Sequence, residues 1–151
     1  MPSVETIFYV PRGTPYLPAG SLREALADPD DAQSFEAQRY AQALERLGLD
    51  RLVPLLDESP RWDRELGQDE QLCVAFARML LQAPAWVLID DAFSVLEEDS
   101  LARVVDVLRN ELKANGLIHI GGSVQGHETL FDRSLHLVKM PGPAITVEEA
   151  P

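Results

Sequence analysis

The stretch Trp86-Val-Leu-Ile-Asp90-Asp91 decides the fold. An uninterrupted apolar run of this length, closed by two carboxylates, is typical of a central parallel strand that is covered on both faces. The carboxyl ends of such strands form the edge at which α/β proteins bind ligands. The sequence therefore predicts a strand over residues 86–89 that carries Asp90 and Asp91 to a ligand-binding edge. The alternative is a strand end whose carboxylates are solvated or cap a helix.

The helix best defined by the sequence lies just before this strand. Residues 69–82 are apolar on most sides, which predicts a buried helix that ends before Pro84. Cys73 lies within this helix, where a small buried side chain is the expected role of a lone cysteine. After the strand, residues 99–115 form an amphipathic pattern that predicts a second long helix with its stop at Asn115-Gly116.

The remaining patterns alternate between strands and helices. Further strands are predicted over Ile7–Val10 and residues 117–120, 134–140 and 144–147, and further helices over residues 22–28, 34–47 and 50–56. Alternating strands and helices favour an α/β fold with a mostly parallel sheet, and the helices within residues 21–82 would form a side lobe.

Composition limits the possible functions. The chain has 151 residues and is 46% hydrophobic, which suits one domain with a real core. Its 13 basic and 25 acidic residues give a net charge of −12, so phosphate backbones repel it and nucleic acid is not an expected partner. No apolar run is long enough to cross a bilayer and no signal peptide is evident, which predicts a cytoplasmic location without membrane insertion.

Four segments, in this order, resemble the ATPase domains of ABC transporters. The first, Tyr16-Leu-Pro-Ala-Gly-Ser-Leu-Arg-Glu24, resembles the PYLPxGTLRE run of bacterial relatives of the peroxisomal fatty-acyl exporters. The second, from Trp62 to Gln71 with Ala75-Phe-Ala-Arg78, resembles the signature segment. The third, from Trp86 to Glu97, resembles the Walker B strand and D-loop, and the fourth, from Gly121 to Leu137, resembles the H-loop and the strand beyond it. The resemblance covers nearly the whole chain. It implies a P-loop-NTPase-like parallel sheet in a single partial domain (residues 1–151), with residues 21–82 as the helical lobe and 83–151 as the Walker B and H-loop half.

The resemblance also implies ATP and Mg²⁺ as cofactors, and it assigns roles to individual positions. Asp90 would hold Mg²⁺ through water, and Asp91 stands where the family usually has a longer Glu that polarises the attacking water. The positions that would face ATP are Gly67, Gln68, Asp69, Glu70 and Gln71 in the signature segment, with Ser123 or the later His127 in the H-loop. For His127 the alternative is an exposed loop histidine. Asp69 would place a negative charge where a phosphate docks.

The phosphate-binding loop of this family is absent from the 151 residues. A P-loop, GxxxxGK[ST], requires a lysine in a glycine-rich loop, and neither Lys113 nor Lys139 lies in one. By resemblance, the loop would lie upstream of Ile7. The strand end is altered as well, because Pro11 is followed by Arg12 rather than by the family's Gln. We therefore expect no ATP hydrolysis by this chain alone.

Three interpretations remain open. The first is a degenerate ATPase domain that acts as a binding or regulatory module. Its partner would be another ABC ATPase domain, a transporter's membrane part or a second copy, met through the loop 12–20 and the region 94–99. The second is the C-terminal fragment of an ATP-hydrolysing exporter. The third is an unrelated acidic adaptor protein. Under this interpretation, no sheet would place Asp90 next to the helix of Asp69. The first two would lie in the cytoplasm or at the inner face of the cell membrane.

Overall fold

The computed structural model describes residues 6–122, 127–139 and 145–149 of the chain. Three parallel strands, β1 (Ile7–Val10), β2 (Trp86–Asp90) and β3 (Gly116–Ile120), form one sheet in the order β1-β2-β3. The decisive stretch is therefore the central strand, as predicted. A separate antiparallel pair consists of β4 (Leu135–Lys139) and β5 (Ile145–Glu149). Residues 140–144, between these two strands, lie outside the described residues.

Helices pack against one face of this sheet. They are α1 (Leu22–Ala27), α2 (Ala37–Arg46), α3 (Trp62–Glu65), α4 (Gln68–Gln82) and α5 (Glu98–Asn110), with 3₁₀ turns at Asp50–Leu55, Ala92–Val95 and Glu128–Leu130. The predicted α/β fold with a parallel sheet and helices is confirmed. Within the described ranges, no helix is both long enough and apolar enough to cross a bilayer.

The start of α1 follows directly from its sequence. Ser21 Oγ accepts a hydrogen bond from the Glu24 N–H at 3.2 Å, and Glu24 Oε2 accepts one from the Ser21 N–H at 2.7 Å. These reciprocal bonds satisfy two N–H groups at the helix start, where no carbonyl partner is available. The predicted start at Leu22 is confirmed, and the helix ends one residue before its predicted end.

The core is built around α4. Leu72, Val74, Phe76, Ala77 and Met79 are fully buried. They belong to one apolar cluster with side chains of α1, α2 and α5 and with the inner face of the sheet. The predicted burial of this helix is confirmed.

Three other helix predictions need correction. The helix predicted over residues 50–56 is a 3₁₀ helix over Asp50–Leu55. The predicted helix over residues 34–47 begins only at Ala37, because Asp31 Oδ1 accepts from the Gln33 N–H and the Asp31 carbonyl accepts from the Ser34 N–H, which folds that segment into a turn. The helix predicted over 99–115 ends at Asn110, whose side-chain amide bonds both the carbonyl and the carboxylate of Asp106.

The prediction that β2 is covered on both faces is wrong for the described chain. Val87 and Ile89 are buried against the helices, but Trp86 on the opposite face is 40% exposed. The outward side chains of the neighbouring strands are exposed too, at 69% for Ile7 and 48% for Ile118. The helices of the described residues pack on one face only, so the second apolar face of the sheet remains open.

The reactivity of the Cys73 thiol tests the burial of α4. Its burial raises the pKa of the thiol to about 11, from an ordinary value of 9.0. A shift of two pKa units lowers the thiolate fraction at pH 8 by about 100-fold, and the thiolate is the reactive species. We expect labelling by a chromogenic disulfide reagent at pH 8 to be at least about 100 times slower in the folded chain than in urea. Equal rates in the two states would contradict this environment. The chain has a single cysteine, so the signal is unambiguous.

Arg78 is predicted to stabilise the fold through its buried guanidinium. The group bonds the Tyr16 carbonyl at 3.2 Å, the Asp28 carbonyl at 3.1 Å and the Asp28 carboxylate at 3.0 Å, and its side chain is 12% exposed. Substitution Arg78→Met leaves the Tyr16 carbonyl and the Asp28 carboxylate without this donor, so we expect the free energy of unfolding in urea to fall by about 2–4 kcal/mol. The matched control is Arg61→Met, since Arg61 is 66% exposed and pairs with Asp63 on the surface. The account fails if both variants shift the urea midpoint equally.

Candidate functional site

The carboxyl ends of β1 and β2 bring four polar side chains together. The Tyr9 hydroxyl donates a hydrogen bond of 3.0 Å to Asp90 Oδ2. Arg12 Nη2 lies 3.8 Å from Asp90 Oδ1, and Arg12 Nε lies 3.6 Å from Asp91 Oδ2. The two carboxylates are 31% and 30% exposed, so they face solvent at the sheet edge. The bond to Asp90 is the main cause that raises the pKa of Tyr9, because it favours the protonated phenol.

The backbone fixes Asp91 at this edge. Asp91 has a left-handed conformation with φ of 51°, which aspartate tolerates better than most residues. Its N–H donates to the Ile120 carbonyl at 2.7 Å, and its own carbonyl accepts from Ser94 Oγ at 2.8 Å. Gly121 packs against it so closely that a Cβ there would lie 2.8 Å from Asp91 Oδ1. Glycine at position 121 is favoured by this close approach together with its φ of 151°.

His119 is a feature that the sequence reasoning missed. Its ring lies between those of Phe93 and Phe131, at centroid distances of 4.9 and 5.6 Å. Its Nε2 is buried without a hydrogen-bond partner among the described residues, and burial lowers the pKa of the imidazole despite the nearby Asp91 charge. The alternation of β3 was the signal available, since it places position 119 opposite Ile89 on the inner face. The geometry assigns His119 to packing as a neutral ring.

The signature positions from Gly67 to Gln71 lie at the start of α4, and three of their side chains are bonded within the chain. Asp69 Oδ1 accepts from the Glu97 N–H at 2.8 Å, and Asp69 Oδ2 accepts from Ser100 Oγ at 2.6 Å. Oδ1 thus satisfies the N–H of Glu97 at the start of α5, where N–H groups lack helical partners, while Oδ2 holds the Ser100 side chain in the first turn of that helix. The Asp69 charge, predicted to repel a docking phosphate, is directed at this helix start.

Among the other signature positions, two side chains are bonded within the chain and two residues are exposed. Glu70 accepts hydrogen bonds from the Arg51 guanidinium and from the Gly67 N–H. Gln71 is buried, and its amide donates to the Leu66 carbonyl at 2.9 Å. Gly67 and Gln68 are exposed at the helix start. This segment therefore uses its polar side chains for its own folding, while Gly67 and Gln68 remain accessible.

The structure brings only some of the predicted site residues together. Asp90 and Asp91 share one edge, and the segment that follows them contacts α4, where Phe93 stacks on Phe76 at 6.4 Å. The adaptor interpretation, by contrast, expects no sheet that places Asp90 next to this helix. Ser123 lies outside the described residues. His127 is half-buried, and its Nδ1 has no hydrogen-bond partner in the described part of the chain.

The residues present do not by themselves fit Mg²⁺ and a nucleotide. In the described ranges, no three His, Cys, Asp or Glu side chains group together in a way that could hold a metal ion. Magnesium is commonly held by one or two carboxylates together with substrate phosphates. Here the two carboxylates already face a guanidinium and a phenol. The 151 residues also contain no GxxxxGK[ST] loop to cradle the phosphates.

Comparison with curated proteins finds ABC transporter ATP-binding proteins. The chain is 32% identical over 107 residues to an uncharacterized ABC transporter ATP-binding protein of Haemophilus influenzae, a match that covers 71% of the chain and 18% of that protein. It is 31% identical over 111 residues to the inner membrane ABC transporter ATP-binding protein YddA of Escherichia coli, covering 71% of the chain and 19% of YddA.

A shorter relative matches more of the chain. The putative hemin import ATP-binding protein HrtA of Staphylococcus epidermidis is 27% identical over 135 residues, which cover 89% of the chain and 57% of HrtA. No protein-family model matches the chain. The chain spans less than a fifth of the length of the H. influenzae and E. coli relatives. The similarity therefore concerns one part of such proteins.

The role of Asp69 as a helix cap can be tested by stability. Substitution Asp69→Ala removes both acceptors from the start of α5, so we expect the free energy of unfolding to fall by about 1–2 kcal/mol. The control is Asp99→Ala, because Asp99 lies in the first turn of the same helix but is exposed. We expect a much smaller loss for the control in urea unfolding followed by circular dichroism. Equal losses would show that the two Asp69 bonds do not cap the helix.

Proposed function

We propose that this chain is the C-terminal part of an ABC-transporter-type nucleotide-binding domain, and that it acts as a non-hydrolysing binding or regulatory module in transport. In this proposal residues 21–82 are the helical lobe and residues 83–151 the Walker B and H-loop half of one partial domain. Support comes from the curated relatives and from the order of the four motif segments along the chain.

The observation that carries the binding role is the open face of the sheet. Parallel sheets occur almost only with both faces covered, because their crossover helices lie on the faces. Five large hydrophobic side chains that point outward from β1, β2 and β3 are 40–69% exposed, namely Ile7, Tyr9, Trp86, Ile118 and Ile120. The register aligns Ile7 with Trp86, and both Tyr9 and Ile118 with Leu88, so these side chains form one surface across the three strands. A contiguous apolar surface of this kind is typical of an interaction site.

The lack of independent hydrolysis is supported by how the polar groups are used. Asp69 and Glu70 are bonded to Ser100 and Arg51, and Asp90 is bonded to Tyr9. Phosphate transfer depends on positioned cations and backbone amides around the phosphates. The chain's own residues supply carboxylates at this edge and no phosphate cradle.

The partner and location form part of the same proposal. We propose another ABC ATPase domain or a transporter's membrane part as the partner, with a homodimer as the third option, in the cytoplasm or at the inner face of the cell membrane. The Tyr16-Leu-Pro-Ala-Gly-Ser-Leu-Arg-Glu24 run supports a relationship with the bacterial relatives of the peroxisomal fatty-acyl exporters. ATP and Mg²⁺ would belong to the complete assembly.

A second function is favoured by the length of the relatives. The chain spans 18% and 19% of two proteins named as ABC transporter ATP-binding proteins. The chain would then be the C-terminal fragment of an ATP-hydrolysing exporter whose P-loop lies upstream. Under this alternative, Asp90 and Asp91 would meet the nucleotide only after the upstream segment is joined to this sheet.

Calorimetric titration with Mg-ATP tests the proposed function. We expect no saturable heat from the chain alone at millimolar nucleotide, because nothing in it cradles the phosphates. Saturable binding tighter than about 100 µM, or about −5.5 kcal/mol, would contradict the proposal. The Asp90→Asn variant is the control, because heat that is lost in this variant arises at the sheet edge.

A further inference from the structure

The oxygens of Asp90 and Asp91 at the sheet edge lie close to donors and to a positive charge of the chain itself. Asp90 Oδ2 accepts the Tyr9 hydroxyl at 3.0 Å. Asp90 Oδ1 and Asp91 Oδ2 lie 3.8 and 3.6 Å from two different nitrogens of the same guanidinium, that of Arg12. The guanidinium therefore spans both carboxylates. Three of the four carboxylate oxygens face a donor or a positive charge that belongs to the chain.

The local backbone explains why Arg12 lies there. β1 ends at Val10, and Pro11 cannot donate a further hydrogen bond to the sheet. Gly13 then has φ of 93°, in the left-handed region that favours glycine, so the chain turns immediately after Arg12. The turn keeps position 12 at the carboxyl edge of the sheet, beside the end of β2.

We propose that Arg12 is the resident cation of the Asp90–Asp91 pair and keeps a divalent metal ion out of it. A metal ion bound by both carboxylates would lie next to the guanidinium, and like charges at that distance repel. Arg12 offsets one of the two negative charges of the pair, and its side chain stays charged at every accessible pH. The pair is thus a metal-independent structural contact in this chain.

This inference rests on the proposed function only for the location of the site. It concerns the affinity of the chain for a metal ion without nucleotide, whereas the proposed function concerns nucleotide binding by the unchanged chain. Binding of Mg-ATP by the unchanged chain would therefore contradict the proposed function alone, while the metal measurements below address Arg12.

The test is Mn²⁺ binding, measured by the electron paramagnetic resonance signal of the free ion at 0.1 M salt. Arg12→Gln removes the positive charge beside the pair, so we expect Mn²⁺ to bind about fivefold to tenfold more tightly than to the unchanged chain. The Arg12 side chain is 67% exposed, so its loss should leave the fold intact, as circular dichroism would verify. Arg12→Lys keeps the charge, and we expect its Mn²⁺ affinity to stay within about twofold of the unchanged chain.

Two controls separate this pair from the general acidity of the chain. Arg61→Gln makes the same charge change at a side chain that is 66% exposed and pairs with Asp63, so we expect little gain in Mn²⁺ affinity. Adding Asp90→Asn to Arg12→Gln should abolish the gain. The inference is overturned if Arg12→Gln gains no more than Arg61→Gln, or if its gain survives the loss of Asp90.

Discussion

The structure depends on the packing of α4 against the inner face of the three-stranded sheet. Val10, Val87 and Ile89 are buried on that face, and Phe76 of α4 extends the contact by stacking on Phe93 just beyond β2. Interiors are packed as densely as organic crystals, so this contact fixes the positions of the strand ends within narrow limits. The edge that carries Asp90 and Asp91 is thereby held against the segment that leads into α5.

The sequence predicted the elements well where the local signals were unopposed. The Ser21–Glu24 capping box located the start of α1, and Gly48, with φ of 72°, follows Leu47, the residue that caps the end of α2. The prediction was less accurate where a side chain competes for the backbone, as Asn110 does in α5. Such competition depends on rotamers and distances that an apolar pattern does not contain.

The candidate site was predictable in its location but less so in its contacts. The apolar run that ends in Asp90 identified the site's edge of the sheet, because the run predicts a parallel strand whose carboxyl end lies at Asp90. The loop after β1 was predicted to be altered at Arg12, yet the approach of that side chain to both carboxylates required the Gly13 turn. Likewise, Asp69 was recognised as an unusual charge, and its bond to the Glu97 N–H arises from a tertiary contact between α4 and α5. The coverage of β2 was predicted wrongly because a continuous apolar run does not indicate which elements lie on either face.

Together these contacts bond many of the polar groups at the sheet edge and at the start of α4 within the chain, while hydrophobic side chains on one sheet face stay exposed. The most direct test of that account is a crystal structure of the chain grown with Mn²⁺ and ATP, with an anomalous difference map at the manganese edge. The account predicts no manganese peak at Asp90 and Asp91, with the Arg12 guanidinium lying between the two carboxylates. A manganese ion bound to Asp90, with Arg12 displaced and a nucleotide beside it, would contradict the account.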